Sequence, residues 1–408
     1  MNSKYSARFL DRQTPPHVFT LVLLAGISAL SMNIFLPSLP EMTEYFQTDY
    51  RLMQLSVALY LGMNAVLQIL IGPIADKYGR RPVILASTGL FLVATLGCLV
   101  APTTEIFLAC RLAQAVIATS MVLSRAIVRD VLPGDEAASM IGYVTMGMAL
   151  VPMFGPVIGG VLGGAFGWQS TFVTLLIAGT GVLILVWFDL GETGKPRDIT
   201  LLAQFREYPE LFRSRRFWGY ALTAALSSGA FFAYLGGAPF VGSTFFALDP
   251  TTLGLYLGAP AVGYVLGNFL TGRYAARYGI TRMMMLGSVA VFGGLALSLM
   301  LFLMGATHPM AFFGLTSWVG LGNGLVLPNA TAGALSVRPH LAGTASGLSG
   351  AIMIGGGAMM SAMSGALLVP EWGVYPLLLI MLTTSVFAIF GTLYIRRVDR
   401  LSGPPMGH

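Results

Sequence analysis

The sequence predicts an all-α integral membrane protein: twelve transmembrane helices in two six-helix bundles related by pseudo-two-fold symmetry. Three observations carry this. Of the 408 residues, 55% are hydrophobic and only 10% charged, against about 25% charged in a soluble domain. A soluble core could not hide so much apolar surface, so the chain needs lipid as a second apolar solvent. The apolar runs are continuous and about 20 residues long, the length of a spanning helix. Barrel strands instead alternate apolar and polar residues over about ten positions, and no third backbone arrangement satisfies itself in hydrocarbon. The last observation is an internal repeat, described below.

The apolar runs fall at 17–39, 52–72, 82–101, 105–128, 137–162, 169–189, 217–239, 251–272, 282–303, 309–332, 342–367 and 374–395. Lys4, Arg8 and Arg12 precede the first run, as in a signal peptide. No A-x-A-like cleavage site follows, and the run ends in Leu36-Pro37-Ser38-Leu39-Pro40. It is read as a retained first helix. Most connections are short, but the stretch after the sixth run is long and rich in charge. The domains expected are an N-terminal bundle over 1–190, a cytoplasmic linker over 191–216 and a C-terminal bundle over 217–408.

With the N-terminus in the cytoplasm, 20 of the 23 Lys and Arg fall in inner segments. Arg51 falls outside, and Arg111 and Arg125 lie within the fourth run. Basic residues stay on the cytoplasmic side, so both termini are expected there. The net charge of +6 then marks topology, and no nucleic-acid partner is expected. Cys98 and Cys110 fall inside spans and read as small packing residues rather than a disulfide or metal site. His17, His308, His340 and His408 lie at span ends, in loops or in the tail, and no metal or other cofactor is expected.

The repeat relates the two halves. Gly72-Pro73-Ile74-Ala75-Asp76-Lys77-Tyr78-Gly79 recurs 200 residues later as Gly272-Arg273-Tyr274-Ala275-Ala276-Arg277-Tyr278-Gly279. Leu59-Tyr60-Leu61-Gly62 likewise recurs as Leu255-Tyr256-Leu257-Gly258. A duplicated half is the design of many secondary transporters, with the substrate site between the repeats.

Arg111 is the sharpest single feature. A guanidinium facing lipid several residues into a span costs several kcal/mol, so it is expected to face a water-filled crevice between the bundles or a partner. Gln114 is one turn on. Arg111, Ala118 and Arg125 repeat every seven residues, a narrow face expected to line the central pathway. A structural helix-to-helix hydrogen bond is the plainer alternative for Arg111, and snorkelling to the surface for Arg125. In the second span Tyr60, Asn64 and Gln68 form another polar stripe at spacing four. Tyr234, Tyr256, Trp318, Asn323 and Asn329 suit an amphiphile pocket, or ordinary packing. In the fifth span Pro152, Gly155, Pro156, Gly159 and Gly160 combine close approach with a freed carbonyl, which reads as a hinge and seal between halves.

The segment from Gly72 through Asp76, Gly79 and Arg80 to Arg81-Pro82 resembles the major facilitator signature between helices 2 and 3. Arg111-Leu112-Ala113-Gln114 is similar to the helix-4 signature, with Ala115 where glycine is usual. Pro152 through Gly160 resembles the helix-5 signature of drug antiporters. Asn33-Ile34-Phe35-Leu36-Pro37, Arg125-Ala126-Ile127-Val128-Arg129-Asp130 and Gly167-Trp168-Gln169 look like the bicyclomycin/chloramphenicol-resistance subfamily, Bcr/CflA. The resemblance implies a twelve-helix drug–proton antiporter in a bacterial inner membrane, acting as a monomer on small-molecule drugs. It also implies a conformational latch, in which Asp76 meets the start of helix 11 near Gly343 and Arg80 pairs with Asp130 when the inner mouth closes.

Related exporters often carry an aspartate in helix 1 where this chain has Asn33. None of the 17 acids lies mid-membrane, and a buried carboxylate is the usual proton carrier. Asn33 is expected level with Arg111, within hydrogen-bonding reach of it. The edge acids Glu41 and Asp130 remain as carriers, and neutral or anionic amphiphiles such as phenicols are the expected substrates. The competing transport reading is a metabolite exporter or a symporter of the same fold. An ATP-driven pump lacks its phosphate loop, since Gly194-Lys195-Pro196 has neither the leading glycine nor the hydroxyl. An intramembrane enzyme lacks a His, Asp or Glu within the spans.

Overall fold

The computed structural model describes residues 7–132, 140, 144, 151, 154–194, 208–338 and 341–402. Among these, every regular element is helical. Eleven helices are long and apolar enough to cross a membrane. They are α1 (Val18–Tyr45), α2 (Tyr50–Tyr78), α3 (Arg80–Val100), α4 (Thr104–Val131), α6 (Gln169–Asp189), α7 (Arg215–Phe245), α8 (Pro250–Tyr278), α9 (Ile280–Leu303), α10 (Met310–Ser336), α11 (Ala342–Leu367) and α12 (Tyr375–Ser402). The apolar helix Phe154–Phe166 is the described part of the fifth and is called α5. Pro152 lies outside the described residues. The end that carries both termini is called the inner end.

The helices start and stop for local reasons. Asp49 caps α2 by accepting from the Arg51 amide at 2.8 Å, and Asp249 caps α8 through Thr251 and Thr252. Both helices run about two turns past the apolar runs that predicted them, because helix geometry persists into the charged residues at the inner end. Each stops at the same point of the repeat. Gly79 has φ 94°, ψ 154° and Gly279 has φ 83°, ψ 153°, a region essentially reserved for glycine. In each the amide closes the last turn, onto Ala75 in one half and Ala275 in the other.

Three helices are irregular where function is expected. α1 tightens to a 3₁₀ turn at Leu36–Ser38, where Pro37 withholds its N–H. α4 does so at Ala115–Ile117, and α7 ends in a π turn at Val241–Phe245, just past Pro239. Such interruptions often mark functional hinges.

In the first six helices α1 packs on α4 and α6, α3 on α4 and α6, and α2 on α4. In the last six α7 packs on α10, α11 and α12, α8 on α10, and α9 on α10 and α12. Between the sets α2 runs along α11, and α5 crosses α8. The outward faces are apolar: Val93, Ile177, Phe269 and Leu303 are each more than 60% exposed. In water such a surface would associate; in lipid it is the solvated face.

Candidate functional site

Arg111 lies wholly inside the first six helices, with 0% of it exposed. Its Nη1 donates to Gln114 Oε1 at 2.7 Å and to Ser31 Oγ at 3.3 Å, and its Nη2 to the Ser31 carbonyl at 2.8 Å. The guanidinium carbon lies 4.2 Å from the Phe35 ring centre and 4.3 Å from that of Tyr60. Gln114 passes the network on, donating to Thr95 Oγ1 at 2.8 Å, which donates to the Phe91 carbonyl. Tyr60 donates to the Ser28 carbonyl at 3.3 Å. The buried charge is thus held by hydrogen bonds and two aromatic faces, each cation–π contact worth about 2 kcal/mol when desolvated. Among the described residues no carboxylate pairs with it.

This corrects the expectation that Arg111 looks into a crevice between the bundles. In this structure it ties α1, α2, α3 and α4 together, the plainer of the two sequence readings. Arg125, two helical repeats on, comes within electrostatic range of Tyr264 on α8.

Asn33 likewise does not reach Arg111. It donates to the Ala29 carbonyl at 3.1 Å, and its Oδ1 has no partner among the described residues. Ser31 is the residue that meets Arg111, because positions two apart on a helix point about 200° apart. Ser31 and Phe35 are one turn apart, as are Phe91 and Thr95. That spacing was visible in the sequence, but nothing in it said which helix they would face.

The stripe on α2 winds rather than running straight, because steps of four residues drift by about 40° each. Tyr60 turns into the first six helices. Asn64 accepts from Gln68 at 3.2 Å. Gln68 lies across α11, where a side chain at Gly350 would strike its Oε1. In the second half Tyr234 stacks on Phe312 and donates to the Tyr256 carbonyl. Asn323 accepts from Ser227 at 2.8 Å, Asn329 donates to the Leu325 carbonyl, and Trp318 packs on Gly294. These five side chains are engaged in packing and local hydrogen bonds.

At the outer end the two sets of helices are sealed together. Tyr50 donates to the Gly236 carbonyl at 3.1 Å. Gln54, which the sequence did not single out, donates to the Ser361 carbonyl at 2.7 Å and its hydroxyl at 2.8 Å. α5 and α8 meet glycine on glycine. A Cβ on Gly160 would come within 2.5 Å of the Pro250 carbonyl and 2.9 Å of Gly254 Cα, and one on Gly254 within 2.5 Å of the Pro156 carbonyl. Thr251 adds a hydrogen bond to the Gly160 carbonyl. On its other side α5 sets Gly155 against Asn33 and Gly159 against the Ile34 carbonyl.

At the inner end Arg80 bridges Asp76 at 2.6 Å and Asp130 at 3.1 Å. All three belong to the first six helices, and the bridge is made while the outer end is sealed. The Arg80–Asp130 pair therefore does not by itself distinguish one mouth closed from the other. Gly72 has open space above it, so no packing demand explains a glycine there.

The sequence profile described as Major Facilitator Superfamily matches residues 21–362. The chain is 30% identical over 384 residues to an uncharacterized MFS-type transporter, YdgK, of Bacillus subtilis, covering 91% of this chain and 94% of that one. It is 28% identical over 330 residues to a chloramphenicol resistance protein of Pseudomonas aeruginosa, covering 80% of this chain and 78% of that one. A solved D-xylose–proton symporter shares the fold, with a TM-score of 0.74 at 14% identity over 93% of this chain and 96% of that one. This multi-pass membrane protein is a transporter rather than an enzyme, and it belongs to the major facilitator superfamily.

Proposed function

We propose that the protein exports small amphiphilic drugs across the bacterial inner membrane by alternating access, driven by proton influx. The observation that carries this reading is the outer seal. The helix-5 pattern Gly155, Pro156, Gly159, Gly160 lies between α1 and α8, with Gly159 and Gly160 in backbone contact. Such a contact can open and close as a rigid crossing with no side chains to repack. Two bundles, 1–190 and 217–408, rock about it, with the linker between them. Both termini face the cytoplasm, by the distribution of Lys and Arg. A monomer suffices, since each chain carries both halves.

The substrates are neutral or anionic amphiphiles, with phenicols among them. Arg125, on the fourth helix and within electrostatic range of Tyr264 in the second half, sets a positive charge beside the pathway. A permanent cation gains nothing there and meets repulsion. Likeness to a chloramphenicol resistance protein supports the same class. For the proton we favour Glu41 over Asp130. Glu41 Oε1 accepts from the Trp168 amide at 3.3 Å while Oε2 is buried with no hydrogen bond among the described residues. Asp130 is already engaged by Arg80, at 3.1 Å.

The test is transport in inverted vesicles with an imposed proton gradient. Chloramphenicol uptake should depend on the gradient and exceed that of ethidium. Better handling of ethidium would overturn the substrate class. Full gradient-driven transport in both Glu41→Gln and Asp130→Asn would remove both carriers.

A further inference from the structure

The repeat sets the inner ends of the two halves side by side. In the first half Gly79 precedes α3, and a carboxylate holds the first two amides of that helix. Glu192 Oε1, at the start of the linker, accepts from the Arg80 amide at 2.9 Å, and Oε2 from the Arg81 amide at 3.2 Å. A Cβ on Gly79 would fall 2.5 Å from Glu192 Oε2. In the second half Gly279 precedes α9 with nearly the same backbone angles. It too gives the helix no side-chain cap. No residue there does what Glu192 does: a Cβ on Gly279 meets nothing within 4 Å.

A cavity of about 370 Å³ lies over this second turn. The Gly279–Arg282 segment walls one side, and Arg396, Asp399 and Arg400 of α12 wall the other. Its charge is one-sided. Asp399 is the acid on the wall, and it is already engaged: Arg216 bridges it at 2.8 Å, and the Tyr220 hydroxyl donates to it at 3.4 Å. Among the described residues Arg282, Arg396 and Arg400 form no ion pair. Three guanidiniums from two helices therefore border one space with the positive end of a 24-residue helix. Guanidinium groups bind phosphate oxygens in bidentate pairs, and amides at a helix start add donors of the kind that binds phosphate. The matching amides of the first half hold an anion, the Glu192 carboxylate.

The surroundings favour a lipid over a soluble anion. On α12 Leu393, Tyr394 and Leu401 are exposed, Leu401 to 79%, and they interleave with the exposed Arg397 and Arg400. Tyr278, beside the turn, is 44% exposed. Apolar and aromatic side chains mixed with arginines mark the level where hydrocarbon gives way to headgroups.

We propose that the cavity between the start of α9 and the end of α12 binds the phosphate of an anionic phospholipid from the leaflet at the inner end. Arg282, Arg396 and Arg400 supply the charge, and the Ile280 and Thr281 amides supply further donors. The acyl chains remain in the bilayer, against the exposed apolar residues of α12. The proposal does not depend on the export reading, and its test involves no transport.

The test is native mass spectrometry of the full chain, stripped of lipid in detergent and titrated in turn with phosphatidylglycerol, phosphatidylcholine and inorganic phosphate. Phosphatidylglycerol should bind at least about tenfold more tightly than phosphatidylcholine, whose choline offsets the phosphate charge. Each arginine removed should weaken phosphatidylglycerol about fivefold, in Arg282→Gln on α9 and in Arg400→Gln on α12 alike. The two walls report separately, so a variant that fails to fold leaves the other to decide. Arg397→Gln removes an equal charge that does not line the cavity, and should change binding less than about twofold. Wild-type affinity in Arg282→Gln and Arg400→Gln would overturn the proposal. Equal retention of the two lipids would do so as well, and so would an Arg397→Gln loss as large as the others, which would mark diffuse surface charge. Inorganic phosphate that binds through the same arginines and displaces the lipid would make this a site for a soluble anion instead.

Discussion

The glycine crossing of α5 on α8 makes a quantitative demand. In Gly160→Ala the new Cβ would stand 2.5 Å from the Pro250 carbonyl oxygen and 2.9 Å from Gly254 Cα, where ordinary contact begins at 3.4 Å. Both obstacles are backbone, so no rotamer change relieves them. The helices must part by nearly an ångström, and overpacking of this kind costs about 1–3 kcal/mol. The cost falls on the sealed state alone, because the contact is absent once the outer mouth opens. The ratio of open to sealed protein should therefore rise by about 5–150-fold. Ser361, fully buried against Gln54, provides the readout as Ser361→Cys in a background lacking Cys98 and Cys110. Its reaction with a membrane-impermeant maleimide added outside should accelerate by that factor. Gly254→Ala meets the Pro156 carbonyl at 2.5 Å and should behave alike, whereas Gly62→Ala, with nothing within 4 Å, should leave the rate unchanged. If neither variant at the crossing labels faster than the background, the seal is not where the two states differ.

Other substitutions probe the remaining sites. Arg111→Lys keeps the charge but loses the planar donor pair and the stacking on Phe35 and Tyr60; thermal unfolding in detergent should show a loss of about 2–4 kcal/mol, with Arg111→Ala worse because Ser31 and Gln114 are left unpaired. Gly79→Ala forces an alanine into a glycine-only conformation against Glu192, and should lower folded yield or transport by an amount that Gly72→Ala does not. Asp189, fully buried, accepts from the Leu10 amide at 2.7 Å, the His17 amide at 2.9 Å and the Thr20 hydroxyl at 2.6 Å; Asp189→Asn should release the N-terminal arm to limited proteolysis while the rest of the chain stays protected. The cap on α8 bears on pH. Hydrogen bonds from the Thr252 hydroxyl and amide, and then from the Thr251 amide, hold the Asp249 carboxyl below the ordinary aspartate range. A carboxyl shifted down contributes its stability above its unfolded pKa and loses it only as pH falls through the folded value. Mild acidity outside should therefore leave this cap intact, and Asp249→Asn should not change the pH profile of transport.

Some of the site was legible before any fold was known. Glycines and prolines report backbone geometry directly, so Gly155, Pro156, Gly159 and Gly160 could be marked as a close crossing, and Gly79 with Gly279 as matching positions of the repeat. Asp76, Arg80 and Asp130 could be grouped only through the resemblance to the major facilitator signature. What could not be read was the direction of a side chain around a helix. A two-residue offset put Ser31 rather than Asn33 beside the Arg111 guanidinium. Gln54 and Glu192 went unnoticed because each acts on residues more than a hundred positions away.

By itself the sequence determined that this chain lives in lipid, crosses it about twelve times and is built from a repeated half, because hydrophobic length, charge bias and repetition are one-dimensional quantities. Only the tertiary structure decided that Arg111 braces one bundle from within, that the seal is backbone on backbone, and that the linker holds the turn before α3. Those depend on helix rotation and on which helices are neighbours, and a few tens of degrees of twist are enough to change them.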